Sequence, residues 1–196
     1  DVGVVQKHLS SQMVLKHERK YWLRLHDPRV FACLERVLTD TQLRRLFGPI
    51  TAWTWFESFH AEWRCRSKPA QPLSRQPNQL DAAQWNTLKR LPLLNRCLRR
   101  LSRCERAAES YQTVAARIDS HLGNAAELGL SDRDDACLYA LSMEQHGLDW
   151  SMLPHVRAAI EGARRGEQTL VRALVGAESL VSPQVDDMTN ATRRYS

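Results

Sequence analysis

The side chains with which this chain could do chemistry are seven histidines and five cysteines, and their spacing argues against catalysis. Cys33, Cys65, Cys97, Cys104 and Cys137 form no C-x-x-C pair, and no Cys/His set has the close spacing of a zinc site. An odd number of scattered thiols fits a reducing compartment, where cysteine behaves as a small buried hydrophobe. His17 beside Glu18, and Glu144 near His146, read as surface turns and helix ends, because no third group completes a triad. No nucleophile elbow, P-loop, Rossmann glycine pattern or H-E-x-x-H helix occurs. Asp132, Asp134 and Asp135 lack the ligand order and central glycine of an EF-hand. Acidic residues in a first helical turn are explained by the macrodipole alone. The expectation is a protein without enzymatic activity, cofactor or metal.

Residues suited to recognition are better represented. Arg24, Asp27 and Arg29 set two guanidinium groups around one carboxylate. They allow two readings: a buried Arg–Asp pair that fixes a turn, or a guanidinium offered to a partner's carboxylate. Trp53, Trp55 and Trp63 are candidate partner anchors, since aromatic residues dominate interface hot spots, with core packing as the alternative. Seven cations from Lys89 to Arg106, in a chain of net charge +6 and pI 9.3, raise the question of nucleic acid. That stretch carries no interleaved aromatics for base stacking, and no zinc-finger, RRM or KH signature accompanies it. A solvated helix face, or a docking face for an acidic partner, fits it better. Arg96, Arg99, Arg100 and Arg103 therefore join the partner-binding candidates.

These residues need elements to hold them. With 196 residues, 43% hydrophobic and 26% charged, the chain is large enough for one domain or two small lobes. No apolar run nears the ~20 residues of a membrane span, and DVGVVQKHLSSQ is not a secretion signal. A helix over residues 2–11 precedes Met13–Lys16, which pairs with Tyr21–Leu25 across a turn at 17–20. Asp27 caps a helix that Pro28 begins; Val30, Phe31, Leu34, Val37 and Leu38 share its apolar face. A second short helix stops at Gly48-Pro49. Ile50–Phe56 and Phe59–Arg66 read as strands, and alternation puts Trp53 and Trp55 on one face.

Three prolines in KPAQPLSRQPNQ mark residues 68–79 as a connector. Beyond it only helices are expected. Asp81 caps one through about Arg90. Leu94, Cys97, Leu101, Cys104, Ala108, Tyr111, Ala115, Ile118 and Leu122 then alternate spacings of 3 and 4. That seam predicts one core helix of ~28 residues, ~42 Å long. Gly123-Asn124 ends it, and Ser131 with Asp134 caps another helix closed by Gly147. Asp149 or Ser151 opens a further helix to about Arg165, and a last one covers 167–175. The expected fold is α+β, mostly α. A small mixed α/β N-terminal lobe (1–67) leads through a linker (68–79) to an all-helical C-terminal lobe (80–181) and a polar tail (182–196).

The stretch YWLRLHDPRVFACLERVLTDTQLRRLFGP carries an arginine-bearing strand, then Asp-Pro-Arg-Val, then Phe-Gly-Pro some twenty residues later. In that order it resembles the type VI secretion system effector adaptor, or chaperone, family. Gln84 within LDAAQWNTL is similar to the family's Leu-x-x-x-Gln helix at the start of the second lobe. LGLSDRDDACLYALSMEQHGLDW resembles its later pattern of a glycine turn, an acidic helix start and another glycine turn. The family's aromatic residue before Asp-Pro is His26 here. The likeness runs over residues 5–165 and implies a further N-terminal part ahead of Asp1. It also implies a cytoplasmic protein of a Gram-negative bacterium, monomeric until it meets its partners. Those partners would be the N-terminal segment of a cognate effector and a VgrG or PAAR spike protein, with neither nucleic acid nor membrane involved. Two rivals stand beside it: a basic helical nucleic-acid-binding protein, and a structural subunit of a larger assembly that uses the Leu94–Leu122 seam. The Tyr21–Pro49 unit mostly explains its own folding. Recognition is therefore expected elsewhere, in the Trp53–Trp63 sheet, the basic helix from Lys89 and the cleft between lobes.

Overall fold

The computed structural model describes residues 1–16, 20–70, 79–101 and 109–174. The fold is α+β and mostly helical. Its elements are α1 (Val2–Gln12), β1 (Val14–Lys16), β2 (Lys20–Trp22), α2 (Pro28–Val37), α3 (Asp40–Phe47), β3 (Ala52–Glu57), β4 (Glu62–Ser67), α4 (Ala82–Leu101), α5 (Tyr111–Glu127), α6 (Arg133–His146), α7 (Leu148–Met152) and α8 (Pro154–Arg164). Two antiparallel pairs make the sheets, β1 with β2 and β3 with β4. The chain forms two compact units, residues 1–119 and 120–196, and the boundary falls inside α5. No helix among the described residues is long and apolar enough to cross a membrane.

In the first unit α2 starts as its sequence dictates. Asp27 accepts the Arg29 backbone N–H at 3.0 Å, and Pro28 occupies the first helical position. Val30 through Leu34 are all buried, while Val37 and Leu38 are only half-buried. Phe31 is the centre of the core. Its ring stacks on Trp53 at 4.5 Å, lies 4.8 Å from Trp55 and meets the edge of Phe47 at 6.1 Å. A capping box between Thr39 and Gln42 opens α3, and Gly48 closes it at φ +52°. At Gly48 a side chain would run into the His8 ring, whose Nε2–H donates to the Leu46 carbonyl at 2.8 Å. Leu94, Cys97 and Leu101 of α4 and Val114, Ala115 and Ile118 of α5 are buried as well. Asp119 is buried too; it accepts from Arg90 Nε at 2.9 Å and Thr87 Oγ1 at 3.0 Å, and Arg36 lies 3.6 Å away. This cluster joins α2, α4 and α5 by charge-assisted contacts.

In the second unit Asp132 caps α6 by accepting the N–H groups of Asp134 and Asp135. Buried Asp135 accepts the Val171 N–H at 3.1 Å, which ties residues 170–174 to α6. Tyr139 and Trp150 meet edge to face at 6.0 Å, linking α6 to α7. Gly147, at φ +72°, closes α6.

Several expectations are corrected. The long helix over Leu94–Leu122 is two helices, because Glu109 and Ser110 are non-helical and Ser110 Oγ accepts the Thr113 N–H at 3.2 Å. Its apolar seam is real on both sides, but it belongs to α4 and α5 separately. Conversely, α4 does not stop near Arg90. It runs through Pro92, with Trp85 before the proline and Leu94 after it both buried. α5 does not end at Gly123 but at Glu127, and Gly129 at φ +80° lets the Leu130 N–H donate back to the Ala125 carbonyl at 3.0 Å. Asp132, not Ser131, caps α6. Pro154 forces Leu153 into an extended conformation and splits the helix expected to run on to Arg165 into α7 and α8. The strand foreseen at Tyr21–Leu25 is only Lys20–Trp22. The 17–19 turn, most of the connector, Arg103, Cys104 and the tail lie outside the described residues.

Candidate functional site

The turn from Arg24 to Arg29 is the ridge around which the larger hollows of the first unit are arranged. One, of about 600 Å³, is walled by His26, Pro28, Phe56, Phe59, Leu98 and Tyr111. A second, of about 440 Å³, is walled by Tyr21, Trp22, Val30, Trp85, Leu88, Lys89, Leu91 and Pro92. Arg24, Asp27, Arg29, Asn95 and Arg99 line both, so the two hollows form one groove with a polar waist. A third hollow, of about 410 Å³, lies on the other side of His26 and Pro28 and is lined by Leu9, Leu25, Trp53, Trp55, Phe56 and Trp63.

The local sequence explains how these side chains reach their places. Tyr21 packs its ring 5.1 Å from Trp85, which sets β2 against α4. Its neighbour Trp22 points the other way and is 74% exposed at the groove wall. On α4 the seam Leu94, Cys97 and Leu101 faces the core. The stripe Leu88, Leu91, Asn95 and Arg99, turned from that seam, faces the groove. At the waist Arg29 forks onto Asp27, Nε to Oδ1 at 2.9 Å and Nη2 to Oδ2 at 2.7 Å. That hydrogen bonding holds the Asp27 carboxyl below its usual range against the opposing effect of partial burial, and raises Arg29.

The sequence-derived candidates separate. Arg24, Asp27, Arg29 and Arg99 come together in the waist, although the Arg–Asp pair is not the buried one considered from sequence. It is Arg29, 46% exposed, that takes Asp27, while Arg24 stands beside them. Trp53 and Trp55 share the inward face of the hairpin, as alternation requires, and pack on Phe31. Trp63 sits opposite Phe56 on the outward face, 72% exposed, with ring centroids 5.6 Å apart. Arg96 and Arg100 line none of these hollows. Asn95, Leu98 and Phe59 were not singled out from sequence. Asn95 lies on the outer stripe of α4, whose period was legible but was masked by the stronger core seam, whereas Leu98 is a buried residue that also lines the first hollow.

At the hairpin tip Glu57, His60 and Glu62 bring their ligand atoms within 4.8 Å of one another. Glu57 is buried and accepts the backbone N–H groups of Phe59 and His60, while His60 Nδ1 lies 2.7 Å from Glu57 Oε2. His60 Nε2 is 2.9 Å from the Glu109 carbonyl. These bonds make Glu57 and His60 a clamp on a tight turn in which Ala61 takes φ +55°. Next to it, a small hollow of about 130 Å³ holds Glu35, raised by burial, with Gln112 donating to it at 2.9 Å. Burial pushes the Cys33 thiol up to about 11, so it is no nucleophile at neutral pH. Comparison with known proteins finds no family, no curated protein and no solved structure that matches the chain.

Proposed function

We propose that the chain is a non-enzymatic adaptor of the type VI secretion kind, acting in the bacterial cytoplasm. In this reading it holds the N-terminal region of one effector and loads it onto a VgrG or PAAR spike protein. The observation that carries the proposal is the groove of the first unit: apolar floors open to solvent, a basic rim, and an exposed tryptophan at the wall. Floors of this kind accept apolar side chains of another chain, and aromatic and arginine residues at the edge are the groups that anchor such contacts. The Asp-Pro-Arg-Val motif supports the same reading, since its residues stand at the groove's waist.

The test is co-expression of the full chain with the protein encoded beside it and with the spike protein. An adaptor gives an equimolar complex on gel filtration and an effector that is soluble and exported only in its presence. If no complex forms and the effector is soluble and exported alone, the proposal fails. Binding to oligonucleotides whose affinity drops steeply with salt would favour a nucleic-acid protein instead.

A further inference from the structure

The waist of the groove carries information about what the groove accepts. Asp27 is the sole carboxylate among the described residues lining either hollow, and both its oxygens are taken by Arg29. Against that one negative charge stand Arg24, Arg29, Lys89 and Arg99. Arg24 is exposed and makes no ion pair with any described carboxylate. Apolar floors lie on both sides of the waist, one at Trp85 and Leu88 and the other at Leu98 and Phe59. We infer that the groove selects a protein segment in which a carboxylate stands between two apolar side chains. Each hollow takes one apolar side chain, and Arg24 holds the acid at the waist.

Charge complementarity chooses this occupant. A lysine at the waist meets like charges at close range, which is how an interface rejects a wrong partner. A neutral residue leaves the Arg24 guanidinium without the charge-assisted bond that an acid supplies. A phosphate backbone satisfies the waist but leaves the aliphatic floor beside it empty. The inference rests on the adaptor reading only in taking the partner to be a protein.

Its test uses the full chain and labelled peptides that differ at one position, Leu-Ser-Glu-Ser-Leu against its Gln and Lys counterparts in a common Gly/Ser frame. Fluorescence anisotropy at low salt should rank Glu over Gln by roughly tenfold, with no measurable binding of the Lys peptide. In Arg24→Glu, an exposed change with unchanged melting expected, the preference for Glu over Lys should be lost or reversed. Equal binding of the Glu and Gln peptides, no binding of any, or displacement by a single-stranded oligonucleotide that binds more tightly would each overturn it. The effector complex separates this idea from the adaptor reading. A complex indifferent to Arg24→Glu combined with Arg99→Glu removes the inference and leaves the adaptor standing. If no complex forms while the peptide ranking holds, the adaptor reading falls and the acid-selective groove stays.

Discussion

The first unit holds two sets of large aromatic residues, and they do opposite things. Phe31, Phe47, Trp53 and Trp55 close on one another with centroids 4.5 to 6.1 Å apart, and Phe31 and Phe47 are fully buried. Trp22, Phe56 and Trp63 stand 74%, 40% and 72% exposed. Both sets include residues of the same hairpin, one position apart. The lesson is that strand parity, not residue type, decides whether a tryptophan stabilises the fold or remains open to a partner.

The sharpest way to break that contrast is Phe31→Ala. It empties the centre of the closed set and should cost about 3–5 kcal/mol, measured by urea denaturation. A loss under about 1 kcal/mol would mean that the cluster is not the core it resembles. Next in size is Asp27→Ala, at the point where α2 carries Phe31 inward and the groove waist outward. Loss of the cap should cost about 1 kcal/mol at neutral pH. Arg29 holds this carboxyl below its ordinary value of 3.8, so its contribution is present above that pH and disappears as the pH falls through the folded value. The stability gap between wild type and variant should therefore stay constant near neutrality and narrow in acid. A gap that widens in acid would assign the effect to something other than the carboxylate. The smallest effect is expected for Trp63→Ser, less than about 0.5 kcal/mol, because little surface leaves water on folding. The same change should weaken partner binding if the outward set is an interface, and a large melting shift would place Trp63 with the closed set instead.

Local chemistry made part of this legible from sequence alone. Asp27-Pro28 and Gly48-Pro49 announce helix ends because caps and fixed φ act over a few residues. Period-2 alternation paired Trp53 with Trp55 for the same reason. The helix expected to stop near Arg90 runs on through Pro92, because a helix tolerates one lost N–H when both flanking turns are buried. Gly123 misled because a glycine inside a helix costs only about 1 kcal/mol, less than burying Leu122 and Ala125 contributes. The break at Glu109-Ser110 lay under an unbroken apolar spacing, which reports faces and not continuity. The groove itself was out of reach. Its walls come from Leu15, residues 21–30, 56–59 and 85–99, and Tyr111, and no short-range pattern shows that these meet. The Asp-Pro-Arg-Val motif looked like scaffold for that reason, although it stands where the hollows converge.

Gly48 has a bearing on inheritance. Its backbone lies in the left-handed region and the His8 ring fills the space where a side chain would begin. Positions forty residues apart are thus bound into a single hereditary unit. An imidazole at position 8 that stays bonded to the Leu46 carbonyl favours glycine at position 48. A lineage that gains a side chain at 48 has to move or shrink the residue 8 ring and still bears the strain of the positive φ. Paired substitution at 8 and 48 is the trace this contact should leave among descendants of the chain.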